Sequence, residues 1–150
     1  MKRIPVFLFL LLSFSLVNAQ LNPVSWTYSA KKIGDKTYEV HLTAAIQNGW
    51  HLYSQSQPED AIAEPTAIQF AANPLLTLDG KIKELGKMEK YHDKQLDISA
   101  NQYSSKVEFV QVVKLKANAK TNLTGKVTYQ TCDDEKCLPP KTVNFAVAIK

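Results

Sequence analysis

The strongest constraint on what this chain can fold into is a period of two. Trp26, Tyr28 and Ala30 alternate with Thr27, Ser29 and Lys31, and further on Tyr38, Val40, Leu42, Ala44 and Ile46 alternate with Thr37, Glu39, His41 and Thr43. Successive side chains of a strand point to opposite faces, so this alternation predicts two strands, each with one buried face. Gly34-Asp35 between them predicts the two-residue turn of a β-hairpin.

The same reading extends along the chain. Asn48-Gly49 supplies a turn, Trp50-His51-Leu52-Tyr53 opens an aromatic strand, and the polar, proline-containing stretch from Ser54 to Pro65 reads as a surface loop. Ile68 with Phe70, and Leu76 with Leu78, mark short strands, the second ended by the turn pair Asp79-Gly80. Between Lys81 and Lys94 the apolar residues Ile82, Leu85, Met88 and Tyr91 recur every third position, but Gly86 and the alternating charges argue against a helix. That segment is read as a strand running into an exposed loop.

From Ser105 to Leu115, Val107, Phe109, Gln111, Val113 and Leu115 share one face while Val110 and Val112 lie on the other, the pattern of a central strand covered on both sides. Leu123, Gly125, Val127 and Tyr129 form the next strand, and Val143, Phe145, Val147 and Ile149 the last. Seven to nine short strands with regular turn signals and no long helix predict an all-β, immunoglobulin-like antiparallel β-sandwich.

The chain opens on Met1, Lys2 and Arg3, then an apolar run from Ile4 to Val17 and a small-residue cleavage pattern, Val17-Asn18-Ala19. This is the form of a secretory signal peptide. The run is shorter than the ~20 apolar residues of a membrane span, which favours a cleaved leader over an anchor. Residues 1–19 are therefore read as the leader and 20–150 as a single β-sandwich domain without membrane insertion. Losing Lys2 and Arg3 takes the basic count from 18 to 16 against 14 acids, so the net charge falls from +4 to +2, too small and scattered a surplus for nucleic-acid binding.

The chain's two cysteines lie in Thr131-Cys132-Asp133-Asp134-Glu135-Lys136-Cys137-Leu138-Pro139-Pro140, between the last two predicted strands, so they sit at the mouth of a hairpin at one end of a sheet. Two cysteines in an exported domain commonly form a structural disulfide. Closing so small a loop stabilises a fold by only about 2 kcal/mol, against roughly 4.7 kcal/mol for a hundred-residue loop, so the spacing suits a staple poorly. A bridge at a hairpin mouth is also accessible to another protein's thiol, which exchange requires. The acids at 133, 134 and 135 disfavour a thiolate, whereas Lys136 favours one at its neighbour; Cys137 is accordingly read as the readily ionised thiol and Cys132 as its resolving partner. The motif has more residues between its cysteines than a thioredoxin motif and opens no helix.

The run Val127-Thr128-Tyr129-Gln130-Thr131-Cys132 through Cys137-Leu138-Pro139-Pro140, with Asn48-Gly49-Trp50-His51-Leu52-Tyr53 upstream, resembles the N-terminal periplasmic domain of the thiol:disulfide interchange protein DsbD. The resemblance spans most of the chain from Asn22 onward. It implies an immunoglobulin-like sandwich that carries electrons in the periplasm, as a thiol-disulfide interchange component or protein-disulfide reductase. The implied donor is a thioredoxin-like domain of a membrane electron conduit, and the implied acceptors are periplasmic thioredoxin-fold oxidoreductases and cytochrome c maturation proteins. It further implies that Cys137 forms the mixed disulfide, that a cap within Glu84 to Asp93 shields the pair through Met88 or Tyr91, and that His51 and Tyr53 stand where the family has active-site tyrosines.

Two departures accompany the resemblance. The family's well-studied form has one residue more between its cysteines, and this sequence ends at Lys150 without the membrane or thioredoxin-like domains, so the donor is expected to be a separate protein.

Met88 and Tyr91 equally fit ordinary core positions, Trp26 and Trp50 read as core, and His41 reads as exposed. Copper or haem ligation by Cys132, Cys137, His51 and Met88 would suit the softness of those ligands, but none of the usual metal spacings is present, so no metal or cofactor is expected. The competing reading of function is a non-catalytic binding or assembly module whose disulfide is structural.

Overall fold

The computed structural model describes residues 21–150; the leader expected over residues 1–19 lies outside the described residues. Eleven strands and no helix are formed among them: β1 (Val24–Gly34), β2 (Thr37–Ile46), β3 (His51–Tyr53), β4 (Ala67–Phe70), β5 (Leu76–Gly86), β6 (Glu89–Asp93), β7 (Ile98–Tyr103), β8 (Lys106–Leu115), β9 (Thr121–Tyr129), β10 (Thr131–Cys132) and β11 (Lys141–Ile149). No helix of the described residues is thus long and apolar enough to cross a membrane.

The alternation decides the two large sheets. One has the order β1-β2-β8-β5 and the other β11-β9-β4, all pairs antiparallel. Tyr38, Val40, Leu42, Ala44 and Ile46 are buried, and so is the expected face of β8, from Val107 to Leu115. They share one core with Leu123 and Val127 of β9 and Phe145, Val147 and Ile149 of β11. Aromatic pairs cross between the sheets, with Tyr28 and Phe145 centroids 5.6 Å apart and Trp26 and Tyr129 5.4 Å apart. Trp50 is buried and Trp26 half-buried against this core. The sandwich leaves little slack at Gly125, where a Cβ would stand 2.4 Å from the Gln69 carbonyl oxygen of β4.

Four details differ from the sequence expectation. The β1–β2 turn is Asp35-Lys36, because the ladder zips on to Gly34↔Thr37 with a bulge between Lys32 and Gly34, and Lys36 takes the left-handed conformation (φ 55°). Asp79-Gly80 does not end its strand. β5 carries two extra residues against β8 between Asp79 and Lys83, with Gly80 at φ 73°, and the buried Gln111 amide donates to the carbonyls of Asp79 (3.1 Å) and Gly80 (3.3 Å). A polar residue on the core face is thereby satisfied by the bulge it faces.

The segment 81–94 is a pair of strands rather than a strand and loop: β5 runs to Gly86, β6 pairs with β7, and the exposed turn falls later, at 94–97. The three-residue spacing has no helical meaning, since only Ile82 packs on the core while Leu85, Met88 and Tyr91 are exposed. His41 is half-buried rather than exposed, held by Glu108 at 3.2 Å and Glu39 at 3.6 Å. Lys106 first and His41 second lower the Glu108 carboxyl from its ordinary range.

A third sheet, β10-β3-β7-β6, grows from one end of the sandwich. The register shows why: β2 ends where β8 begins (Ala45↔Lys106), β5 ends there too (Gly86↔Val107), and β9 ends where β11 begins (Tyr129↔Lys141). The chain leaving β2, β5 and β9 supplies β3, β6 and β10, and the chain entering β8 supplies β7. This end of the molecule carries both cysteines.

Candidate functional site

The cysteine loop is built by strand pairing. β10 continues β9 after a break at Gln130 and pairs with β3, setting Thr131 opposite Leu52 and Cys132 opposite His51. Cys137 returns to bridge Cys132, the Asp133 N–H donates to the Lys136 carbonyl (2.9 Å), and the Leu138 N–H donates to the Thr131 carbonyl (2.8 Å). The two sulfurs are joined as a disulfide. Pairing within the loop thus brings the two cysteines together, on a strand that β3 holds in place.

They are not equivalent. Cys132 is only 3% exposed and packs with Tyr53, Ala100 and Ala63, whereas Cys137 is exposed. Burial among apolar groups disfavours a thiolate at Cys132, in the same direction as the charge argument from the sequence.

The acids divide their roles. The Asp133 carboxylate accepts hydrogen bonds from the backbone N–H groups of Glu135 (2.9 Å) and Lys136 (2.7 Å), which hold its carboxyl below the usual range. Asp134 lies 3.5 Å from His51 Nε2. A carboxyl lowered by folding stabilises the loop above the ordinary Asp value of ~3.9, and that contribution is lost as pH falls through the lower folded value. Asp133→Ala is therefore expected to speed hydrogen exchange at the Glu135 and Lys136 amides by about tenfold at neutral pH. The wild-type loop should lose its protection, after correction for intrinsic exchange, only below the ordinary Asp range; unchanged protection in the variant would contradict this role.

A cavity of about 660 Å³ opens beside the disulfide. His51, Tyr53, Ala100 and Gln102 line it from the site sheet, the loop from Cys132 to Cys137 forms one side, and Tyr91 with Leu96 comes from the β6–β7 hairpin. Burial first, and then Tyr91, raise the Tyr53 hydroxyl. The hairpin root is pinned by Glu84, which accepts from the Tyr103 hydroxyl (2.6 Å) and from the Gln55 N–H (2.7 Å). Burial, followed by that Glu84 contact, pushes the Tyr103 hydroxyl well above its ordinary range.

Of the residues singled out in the sequence, the structure brings Cys132, Cys137, His51, Tyr53, Tyr91 and Lys136 to this one cavity. Met88 is not among its lining residues: it lies at the β5–β6 junction, 43% exposed. Leu96 and Ile62, 67% and 77% exposed, line the cavity and were not anticipated. Their one sequence signal is a lone apolar residue stranded in a polar stretch, and exposed apolar side chains grouped at a cavity are a mark of binding surfaces. Among the described residues no group of three or more His, Cys, Asp or Glu side chains converges as a metal site requires.

Fold and site define a class: an all-β, immunoglobulin-like antiparallel sandwich that presents one disulfide, half buried and half exposed, at the mouth of a terminal hairpin. Residues 19–149 match the family described as thiol:disulfide interchange protein DsbD, N-terminal, and the chain belongs to that family. The N-terminal domain of DsbD from Neisseria meningitidis, solved in its reduced form, is 18% identical with a TM-score of 0.54, over 87% of this chain and 91% of that one. The N-terminal periplasmic domain of ScsB from Proteus mirabilis is 17% identical with a TM-score of 0.52, over 84% of this chain and 44% of that one. No curated protein matches the sequence.

Proposed function

We propose that residues 20–150 act in the periplasm, after removal of a leader, as a thiol-disulfide exchange domain working through Cys132 and Cys137. The observation that carries this reading is the contrast between a buried and an exposed sulfur in one disulfide beside an apolar-rimmed cavity. In the reduced protein the Cys137 thiolate attacks a partner's disulfide, forming a mixed disulfide and releasing one partner thiolate. Cys132 then attacks the Cys137 sulfur, closing the internal bond and expelling the partner's second thiolate. Two electrons leave the pair and reduce the partner; a dithiol donor restores the pair by the reverse sequence.

Family membership supports a donor that is a thioredoxin-like domain of a membrane electron conduit. It likewise supports acceptors that are periplasmic thioredoxin-fold oxidoreductases or cytochrome c maturation proteins. The reading is tested by the reduction potential of the pair, measured in glutathione and dithiothreitol redox buffers. A working pair is expected above about −300 mV; a value below that would assign the bond to structure and favour a binding or assembly module.

A further inference from the structure

A line of hydrogen bonds runs into the site from outside it. The Ser104 hydroxyl, in the β7–β8 link, donates to Glu89 Oε2 of β6 at 2.6 Å, and His51 Nδ1 lies 3.1 Å from the same Ser104 oxygen. A carboxylate only accepts, and a hydroxyl has one proton to give. With that proton committed to Glu89, the Ser104 oxygen accepts from His51, so Nδ1 carries the hydrogen and Nε2 holds the free lone pair of the neutral ring. His51 and Cys132 are direct cross-strand partners, an arrangement that puts both side chains on one face with Cβ atoms about 5 Å apart.

We infer that His51 is a positioned proton acceptor for the buried thiol of Cys132. The inference rests on the exchange reading above and assigns a role within that same site. When a mixed disulfide stands on Cys137, the Cys132 proton passes to His51 Nε2. The resulting thiolate attacks the Cys137 sulfur, the Cys132–Cys137 bond forms, and the bond from Cys137 to the partner breaks with the electron pair leaving on the partner's sulfur. Asp134, 3.5 Å from Nε2, faces the imidazolium so formed, and Glu89 backs it through Ser104. The other titratable or charged groups around this cavity are Tyr53 from β3, Tyr91 from β6, and Asp133, Glu135 and Lys136 from the loop. The buried sulfur is the one that needs such help, because solvent cannot readily take its proton.

The test uses the reduced protein without its leader, residues 20–150, and 5,5′-dithiobis(2-nitrobenzoate), which releases one thionitrobenzoate as Cys137 is capped and a second as Cys132 resolves the cap. In His51→Gln the ratio of the second rate to the first is expected to fall by about tenfold or more at neutral pH, within the range of general-base contributions. The part of the second phase's pH dependence that the imidazole supplies should disappear with it. Ser104→Ala, which removes the bond that sets the tautomer, is expected to lower the ratio less and to keep that pH dependence. Equal slowing of both releases, or an unchanged ratio across pH, would overturn the role of His51 while leaving exchange intact. Failure of the wild type to release any thionitrobenzoate would overturn exchange as well.

Discussion

Cys137→Ser is expected to lower exchange with thioredoxin-fold disulfides on the order of a hundredfold or more, because it removes the only sulfur of the pair that a partner reaches from solvent. Cys132→Ser should do something different: Cys137 still attacks, but nothing resolves the product, so the mixed disulfide accumulates and is detected by mass as a covalent adduct. Acid quenching at intervals separates the two behaviours. The asymmetry follows from burial, since Cys132 is walled by Tyr53, Ala100 and Ala63 while Cys137 faces outward. An adduct that formed through Cys132 in the Cys137→Ser protein would sink the assignment of roles.

Phe109→Ala is expected to cost about 3–5 kcal/mol, the largest stability loss of any change considered for this protein. Phe109 is fully buried in β8, flanked by Leu42 of β2 and Glu84 of β5 in the ladders, with its ring centroid 5.9 Å from that of Trp26. Truncation leaves a cavity in a region that two ladders prevent from collapsing. Against a total stability of about 5–15 kcal/mol, such a loss brings the domain near its threshold. In urea the midpoint should fall with the slope unchanged. A loss under about 1 kcal/mol would mean the core relaxes around the gap, and would contradict the central place given to β8. Because the cysteine loop is closed by its own backbone pairing, the disulfide should still form in whatever fraction remains folded.

These two predictions draw on information of different kinds. The core around Phe109 is legible in the sequence, since the period of two from Tyr38 to Ile46 and from Val107 to Leu115 names the buried residues directly. The turn positions are less legible. Asp79-Gly80 reads as a stop, yet β5 continues through it, with the amide of Gln111 from across the ladder donating to the Asp79 and Gly80 carbonyls at the bulge. Local turn chemistry is overridden there by a partner some thirty residues away. Segment 81–94 carried no periodicity to trust, since β6 is a narrow strand whose middle residues are exposed.

The sequence by itself determined that this chain is an antiparallel sandwich and that Cys132 and Cys137 share one hairpin mouth. Both properties are local: alternation is written residue by residue, and a short loop keeps its two ends together. Only the tertiary structure decided which sulfur faces solvent, that Leu96 and Ile62 rather than Met88 line the cavity, and that Glu89 and Ser104 orient His51 beside Cys132. Those properties depend on strand ends from four parts of the chain meeting at one end of the sandwich. Side-chain contacts between residues as far apart in sequence as His51 and Ser104 are set by register, which no local pattern encodes.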